Sequence, residues 1–274
     1  MTEIKVTVLQ TKVHADKIKN IEQAAELVEA AVREKSDLVT LPEMFNCPYQ
    51  TANFPVYAEP EGGESWLALS GIAKKYGVYL SAGSMPESDG GRVYNTAYVF
   101  DRQGVQIAKH RKMHLFDIDV EGGQYFKESD TLTAGEQITA FDTEFGKMGL
   151  CVCYDMRFPE LARLMALKGA KVILVPGAFN MTTGPAHWEI MFRNRALDNQ
   201  AYTIGTAPAR DEASGYASWG HSIIVSPWGD VLEQMDEKEG CISRVLDLEY
   251  VDKVRKELPL LAHRRTDVYS LEEK

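Results

Sequence analysis

The sequence predicts a single-domain α/β fold with mixed sheets over residues 1–274. Three observations carry that expectation. Short apolar runs of strand character alternate with stretches of helical spacing along most of the chain. Two pairs of strand-like runs flank turn sequences, Arg102-Gln103-Gly104 and Pro227-Trp228-Gly229-Asp230, so hairpins must interrupt any parallel sheet. Finally, the segment 37–46 echoes the segment 171–180. In each, an apolar strand ends in Pro-x-x-Phe-Asn, at Pro42, Phe45 and Asn46 and again at Pro176, Phe179 and Asn180. Two equivalent strand ends, one from each half, could face each other across a site. Chance recurrence of Pro and Asn at strand ends is the other explanation. No linker rich in Gly, Pro or Ser divides the chain.

The elements follow in order. Residues 4–9 alternate and read as a strand. Residues 16–34 carry Ile18, Ile21, Ala24, Ala25, Leu27 and Val28 at helical spacing. Residues 37–41 form a short apolar run, expected as a buried strand. Residues 65–76 read as helix and 78–83 as strand. Residues 95–101 and 105–110 are the arms of the first hairpin. Strands are expected at 149–153, 171–175 and 202–206, with helices at 158–167 and 185–199 between them. Residues 222–226 and 231–235 are the second hairpin, and 248–258 a last helix. The tail, 259–274, has no core of its own and is expected to pack on something else, such as a partner subunit.

Composition narrows the function classes. The chain is 45% hydrophobic and 26% charged, ordinary for a soluble globular protein, and long enough to build its core without disulfide staples. Its net charge of −10 argues against a nucleic-acid surface, which needs a basic face. No apolar run approaches the ~20 residues that span a bilayer. Met1-Thr2-Glu3-Ile4-Lys5-Val6 runs straight into a strand, without the pattern of a signal peptide. Cys47, Cys151, Cys153 and Cys241 fit neither a zinc motif nor a disulfide framework. Reduced thiols in a cytoplasmic protein are the simplest expectation. No glycine loop of phosphate-binding spacing precedes a helix, so no nucleotide cofactor is expected.

Three fragments carry chemistry. An apolar strand runs up to Cys153 and is followed at once by a polar turn and a helix start containing Pro159. Open α/β folds place their reactive groups at such strand ends. Leu41-Pro42-Glu43-Met44-Phe45 ends another strand in a carboxylate, and His110-Arg111-Lys112-Met113-His114 sets an ammonium in a polar loop. Covalent amide hydrolysis needs a nucleophile, a proton acceptor and an oxyanion donor. Cys153 can be the first, Glu43 the second and Lys112 the third, with the Tyr154 backbone N–H as a second donor. Each has a plainer alternative. Cysteine is among the most buried residue types, and Cys151 reads as packing. Glu43 and Lys112 could be an ordinary loop acid and a surface lysine. The six histidines are rival bases, so a Cys-His hydrolase stays open at this level.

Taken together, Leu41–Phe45, Arg111–Leu115 and Cys153–Glu160 resemble the nitrilase (carbon–nitrogen hydrolase) superfamily, in the right order along nearly the whole chain. The resemblance implies a four-layer αββα sandwich with two mixed β-sheets, usually dimeric. It implies a Glu43–Lys112–Cys153 triad, often assisted by a second glutamate, whose position Glu128 matches. On its own Glu128 reads as a solvated loop acid. The cysteine mechanism needs no metal and no cofactor. Asn46-Cys47-Pro48-Tyr49, residues 54–59, residues 176–189, Trp219-Gly220-His221-Ser222 and residues 264–269 resemble the omega-amidase branch. That branch hydrolyses 2-oxoglutaramate and 2-oxosuccinamate to the 2-oxo diacid and ammonia. An amidase acting on deaminated glutathione and a nitrilase acting on C≡N bonds are the alternatives. The expected partner is therefore a small 2-oxo acid amide.

Such a substrate carries a carboxylate, which in an acidic protein needs a local cation. Arg157 is the expected partner, its alternative being a salt bridge at the helix start. Tyr49 and Thr183 could add hydroxyl donors, and Phe179 could wall the pocket. His187 and Trp188 read as structural.

Overall fold

The computed structural model describes residues 2–274. Its first half begins with β1 (Glu3–Gln10), α1 (Lys17–Arg33), β2 (Leu38–Thr40), the short α2 (Phe54–Tyr57), α3 (Glu64–Tyr76), β3 (Tyr79–Asp89), β4 (Arg92–Phe100) and β5 (Gln106–Arg111). A small two-stranded ribbon follows, β6 (Asp117–Asp119) with β7 (Tyr125–Lys127). The second half contains β8 (Thr139–Thr143), β9 (Gly146–Leu150), α4 (Pro159–Leu167), β10 (Val172–Pro176), α5 (Gly184–Asn199), β11 (Tyr202–Thr206), β12 (Ile223–Val225) and β13 (Val231–Gln234). The chain then returns through β14 (Gly240–Asp247) to α6 (Leu248–Glu257).

Two six-stranded mixed sheets result, ordered β14-β1-β2-β3-β4-β5 and β8-β9-β10-β11-β12-β13. The orders are equivalent. Each sheet has three parallel strands, β1-β2-β3 or β9-β10-β11, extended by an antiparallel pair and bordered by one further antiparallel strand. The echoed segments end β2 and β10, the middle strand of each parallel trio. The repeat is therefore topological as well as sequential.

Strand periodicity sorts the layers. Ile4, Val6 and Val8 of β1 join Leu150, Ile173 and Ile204 of the opposite sheet in one buried cluster. Leu9, Val39 and Leu80 face the other way, onto Ala24 and Val28 of α1 and Leu69 and Ile72 of α3. The second sheet is covered by Leu161 and Met165 of α4 and by Trp188 and Phe192 of α5. Helix, sheet, sheet, helix is the four-layer αββα sandwich. The Thr40 and Thr206 hydroxyls meet at 2.6 Å across the interior, tying β2 to β11. Asp16 starts α1 by accepting from the Ile18 and Lys19 N–H groups, a cap worth about 1 kcal/mol.

The structure departs from the sequence expectations in three places. The strand expected at 149–153 begins at Gly146 and ends at Leu150, so Cys153 opens a tight 3₁₀ turn, Cys153–Arg157, rather than closing a strand. Strand β3 runs on to Asp89 and pairs with β4 in a long hairpin. Strands β8 and β14, the β6–β7 ribbon and α2 carried no alternation strong enough to read. The tail, 259–274, is largely exposed on the single chain, with Lys168 Nζ 2.5 Å from Glu273 Oε2. Among the described residues, no helix is long and apolar enough to cross a membrane.

Candidate active site

The candidate groups converge beyond the C-terminal ends of β2, β9 and β10. Glu43 is carried on a strap held down by β3. There the register slips between Ser81 and Ser84, and Gly83 takes a positive φ of 62°. A Cβ on Gly83 would lie 2.1 Å from the Pro42 carbonyl oxygen, so only glycine lets the strap come this close. Ser84 secures it, donating its N–H to the Pro42 carbonyl and accepting from the Met44 N–H through its hydroxyl. Lys112 leaves the end of β5, its N–H bonded to the Asn95 carbonyl and its carbonyl accepting from Gly135. Glu128 stands at the base of the β6–β7 ribbon. Its N–H donates to the Phe116 carbonyl, and its Oε2 accepts from the Phe116 N–H at 2.7 Å.

Cys153 is held in the left-handed region, at φ 48°. A non-glycine residue there costs of order 1 kcal/mol and persists only where its surroundings enforce it. The turn aims the thiol out of the sheet, towards Glu43 and Lys112. The Tyr154 N–H next to it has no acceptor among the described residues.

Glu43, Lys112 and Glu128 are all fully buried. The Lys112 ammonium donates to Glu43 Oε1 at 3.0 Å, to Glu128 Oε1 at 2.9 Å and to the Tyr49 hydroxyl at 3.4 Å. All three of its protons are thereby placed. Glu43 also accepts from Asn95 Nδ2 at 2.8 Å and, through Oε2, from the Ala178 N–H at 2.7 Å. That last bond joins the two echoed strand ends across the site. Burial would lower the Lys112 pKa, but Glu128, Glu43 and Cys153 outweigh it and hold the ammonium above its ordinary value. Burial pushes the Cys153 thiol well up. The Glu43 carboxylate adds to this and Lys112 opposes it. Burial and Glu43 likewise raise Glu128, against the pull of Lys112. A small cavity of about 50 Å³, bordered by Glu43, Met44, Cys47, Tyr49, Ala178 and Tyr216, opens beside the cluster.

Sequence-expected residues fall into three groups. Glu43, Lys112, Cys153 and Glu128 come together, and Glu128 is buried rather than a solvated loop acid. Tyr49 joins them, although not as the free hydroxyl expected for substrate. Its oxygen lies 2.6 Å from Glu128 Oε1 and 3.1 Å from Glu43 Oε1, so its one proton is engaged by a carboxylate. Arg157 and Phe179 stand together at the rim, the guanidinium 5.0 Å from the Phe179 ring and 5.5 Å from that of Tyr154. Arg157 makes no salt bridge among the described residues, and Nη1 donates to His187 Nδ1 at 3.2 Å. Thr183 is separate from this group. Its hydroxyl and N–H both bind Asn180 Oδ1, where the chain enters α5.

Sequence reasoning missed Asn95, Tyr216 and Asp155. Asn95 stands beside Thr96 in β4, with no spacing that marks it as functional. Tyr216 is loop-borne, and its hydroxyl donates to the Ala178 carbonyl at 2.5 Å. For Asp155 a signal existed, because histidines sit two residues to either side of Lys112 and an acid sits two residues after Cys153. Those histidines, His110 and His114, bind Asp155, and the charged groups acting most strongly on the thiol are Glu43, Lys112 and Glu128. Both histidines nearest Lys112 in sequence are thus engaged by Asp155.

Comparison with known proteins agrees with this geometry. The family model described as carbon–nitrogen hydrolase matches residues 5–256. An omega-amidase NIT2 from Xenopus tropicalis is 48% identical over 274 residues, covering 100% of this chain and 99% of the relative. The one from Homo sapiens is 44% identical at the same coverage. Among solved structures, Saccharomyces cerevisiae Nit3, described as a member of branch 10 of the nitrilase superfamily, aligns with a TM-score of 0.89 at 42% identity. That match covers 96% of this chain and 97% of that one. The chain belongs to the carbon–nitrogen hydrolase family of the nitrilase superfamily.

Proposed function

We propose that this protein is an omega-amidase that hydrolyses the terminal amide of 2-oxoglutaramate or 2-oxosuccinamate through a cysteine thioester. The observation that carries this reading is the pairing of two features. One is a buried thiol–carboxylate–ammonium cluster. The other is a rim guanidinium, flanked by two aromatic rings and bound to no carboxylate of the protein. The 48% identity to an omega-amidase over the full chain supports the same substrate class.

The steps follow from the geometry. Cys153 Sγ attacks the amide carbonyl as Glu43 takes the thiol proton. The oxyanion is met by Lys112 and the Tyr154 N–H. All three Lys112 protons are occupied at rest, so the oxyanion must displace one acceptor. The 3.4 Å bond to Tyr49 is the longest and the easiest to give up. Glu43 returns the proton to nitrogen, the C–N bond breaks, and ammonia leaves a thioester on Sγ. Water then attacks the thioester, losing its proton to Glu43. The acid departs and Sγ is reprotonated. Glu128 holds Lys112 in place throughout. At the rim, Arg157 receives the substrate carboxylate, since burial already pulls its pKa below the ordinary value and an anion would relieve that cost. Phe179 walls the pocket beside it, and Thr183 shapes the wall through Asn180.

Residues 1–274 act as one domain. All four cysteines are free, which supports a reducing compartment such as the cytoplasm. Ile190 on α5 and Trp228 in the turn before β13, 65% and 49% exposed, share a face with Leu197, Glu189 and Arg193, and these exposed apolar side chains support a homodimer.

Ammonia release from 2-oxoglutaramate, propionamide, glutamine and a simple nitrile, measured side by side, tests the activity. Arg157→Lys should lose at least about tenfold in kcat/KM on 2-oxoglutaramate, because lysine cannot reproduce the planar two-donor fork. Propionamide, which has no carboxylate, should be turned over almost unchanged. Equal fractional loss on both amides would remove Arg157 from recognition and assign it to the turn that carries Cys153.

A further inference from the structure

Asp155 is fully buried and has no part in the steps above. Its carboxylate nevertheless accepts five hydrogen bonds. Oδ2 takes the Val152 N–H at 3.0 Å and His110 Nε2 at 2.9 Å. Oδ1 takes the Met113 N–H at 3.2 Å, the His114 N–H at 2.9 Å and His114 Nδ1 at 2.7 Å. A carboxylate can only accept, so both ring nitrogens that face it carry protons. The placement of these donors is informative. Val152 immediately precedes Cys153, and Met113 and His114 immediately follow Lys112. One side chain therefore grips the backbone beside the thiol and the backbone beside the ammonium. These two segments come from opposite sheets, one after β9 and the other after β5.

Two further contacts stiffen the junction. His110 Nδ1 lies 3.0 Å from the Thr139 hydroxyl, which itself donates to the Lys109 carbonyl. The His114 ring stacks on Phe158 at 3.7 Å and 11°, at the far end of the Cys153 turn. Burial alone would raise the Asp155 pKa. The bonds from His110 and His114 overcome that and hold it well below the ordinary carboxylate range, so the clamp is charged at neutral pH.

We infer that Asp155 is a positioning residue, a clamp that fixes the separation of Cys153 and Lys112 by bonding the backbone next to each. The inference rests on the proposed roles of those two residues. Neither touching substrate nor moving a proton, Asp155 acts only through the alignment of thiol and oxyanion donor. A displacement of about 1 Å in such an alignment costs roughly 10²-fold in rate.

The test uses the whole enzyme, with kcat expressed per mole of folded protein and near-UV circular dichroism as the check of folding. Asp155→Asn should lose at least about 10²-fold in kcat on 2-oxoglutaramate, with KM changed by less than about threefold. In a Lys112→Met background the same change should add little, because the alignment it supports no longer has a donor to align. Should Asp155→Asn fail to fold, the partly exposed His114 decides. His114→Ala should lower kcat several-fold, and His114→Gln, which restores a side-chain donor but not the stacked ring, should recover most of it. Unchanged kcat in folded Asp155→Asn, full additivity with Lys112→Met, or His114→Gln no better than His114→Ala would each overturn the inference. Lys112→Met retaining full activity would instead sink the underlying reading of the site, so the two failures are distinguishable.

Discussion

Cys153→Ala should abolish ammonia release, to below about 10⁻⁴ of the wild-type rate, while the protein stays folded. In the proposed mechanism the sulfur forms the bond to the acyl carbon. The neighbouring thiol supplies the control. Cys151 is buried in the main core behind the turn, and its N–H donates to the Leu174 carbonyl within the second sheet. Cys151→Ala should therefore keep the wild-type kcat and lose only about 1 kcal/mol of stability to the small void. Rapid mixing with 2-oxoglutaramate followed by mass spectrometry should find an acyl adduct on the wild-type protein and none on Cys153→Ala. Equal loss of activity in both folded variants would leave the nucleophile unassigned.

Lys112→Met should cost at least about 10³-fold in kcat, the upper range for one oxyanion donor. Its effect should exceed that of a simple deletion. Methionine keeps the length of the side chain but leaves the two buried carboxylates, Glu43 and Glu128, facing each other without a cation. The melting temperature should fall as well. Glu43→Gln separates the two effects. It removes the proton acceptor, so kcat should drop at least about 10²-fold, yet it relieves the negative charge and the fold should hold. Full activity in Glu43→Gln would move the base elsewhere.

Residue-level chemistry was the most legible part of the sequence. A thiol, a carboxylate and an ammonium each sat at a break in an apolar pattern, where strand ends deliver side chains to a common edge. The echo of residues 37–46 in 171–180 pointed to a two-sheet layout, and the structure places both segments in the same topological position. Border strands were harder to read. Strand β14 pairs with β1 across more than two hundred residues, and its edge position lets Ser243 and Arg244 stand where an inner strand needs apolar groups. The thiol's local geometry was also hidden, because the positive φ of Cys153 is imposed by tertiary contacts and not by a glycine or asparagine. The partners of Tyr49 were hidden for a related reason. A hydroxyl reads as a free donor until a buried acid is found to claim its proton. Asp155 was overlooked because its importance lies in five partners spread over two segments, a property that no spacing along one chain reveals.

The surroundings of the thiol have a consequence for the protein's life in a cell exposed to oxidants. Peroxides and soft electrophiles attack thiolates, and their selectivity among cysteines follows thiolate character and access. Here burial and the Glu43 and Glu128 carboxylates push the thiol up, against the pull of Lys112, which disfavours the thiolate. In the proposed mechanism the sulfur gains its reactivity as an amide carbonyl accepts its electrons and Glu43 takes its proton in the same event.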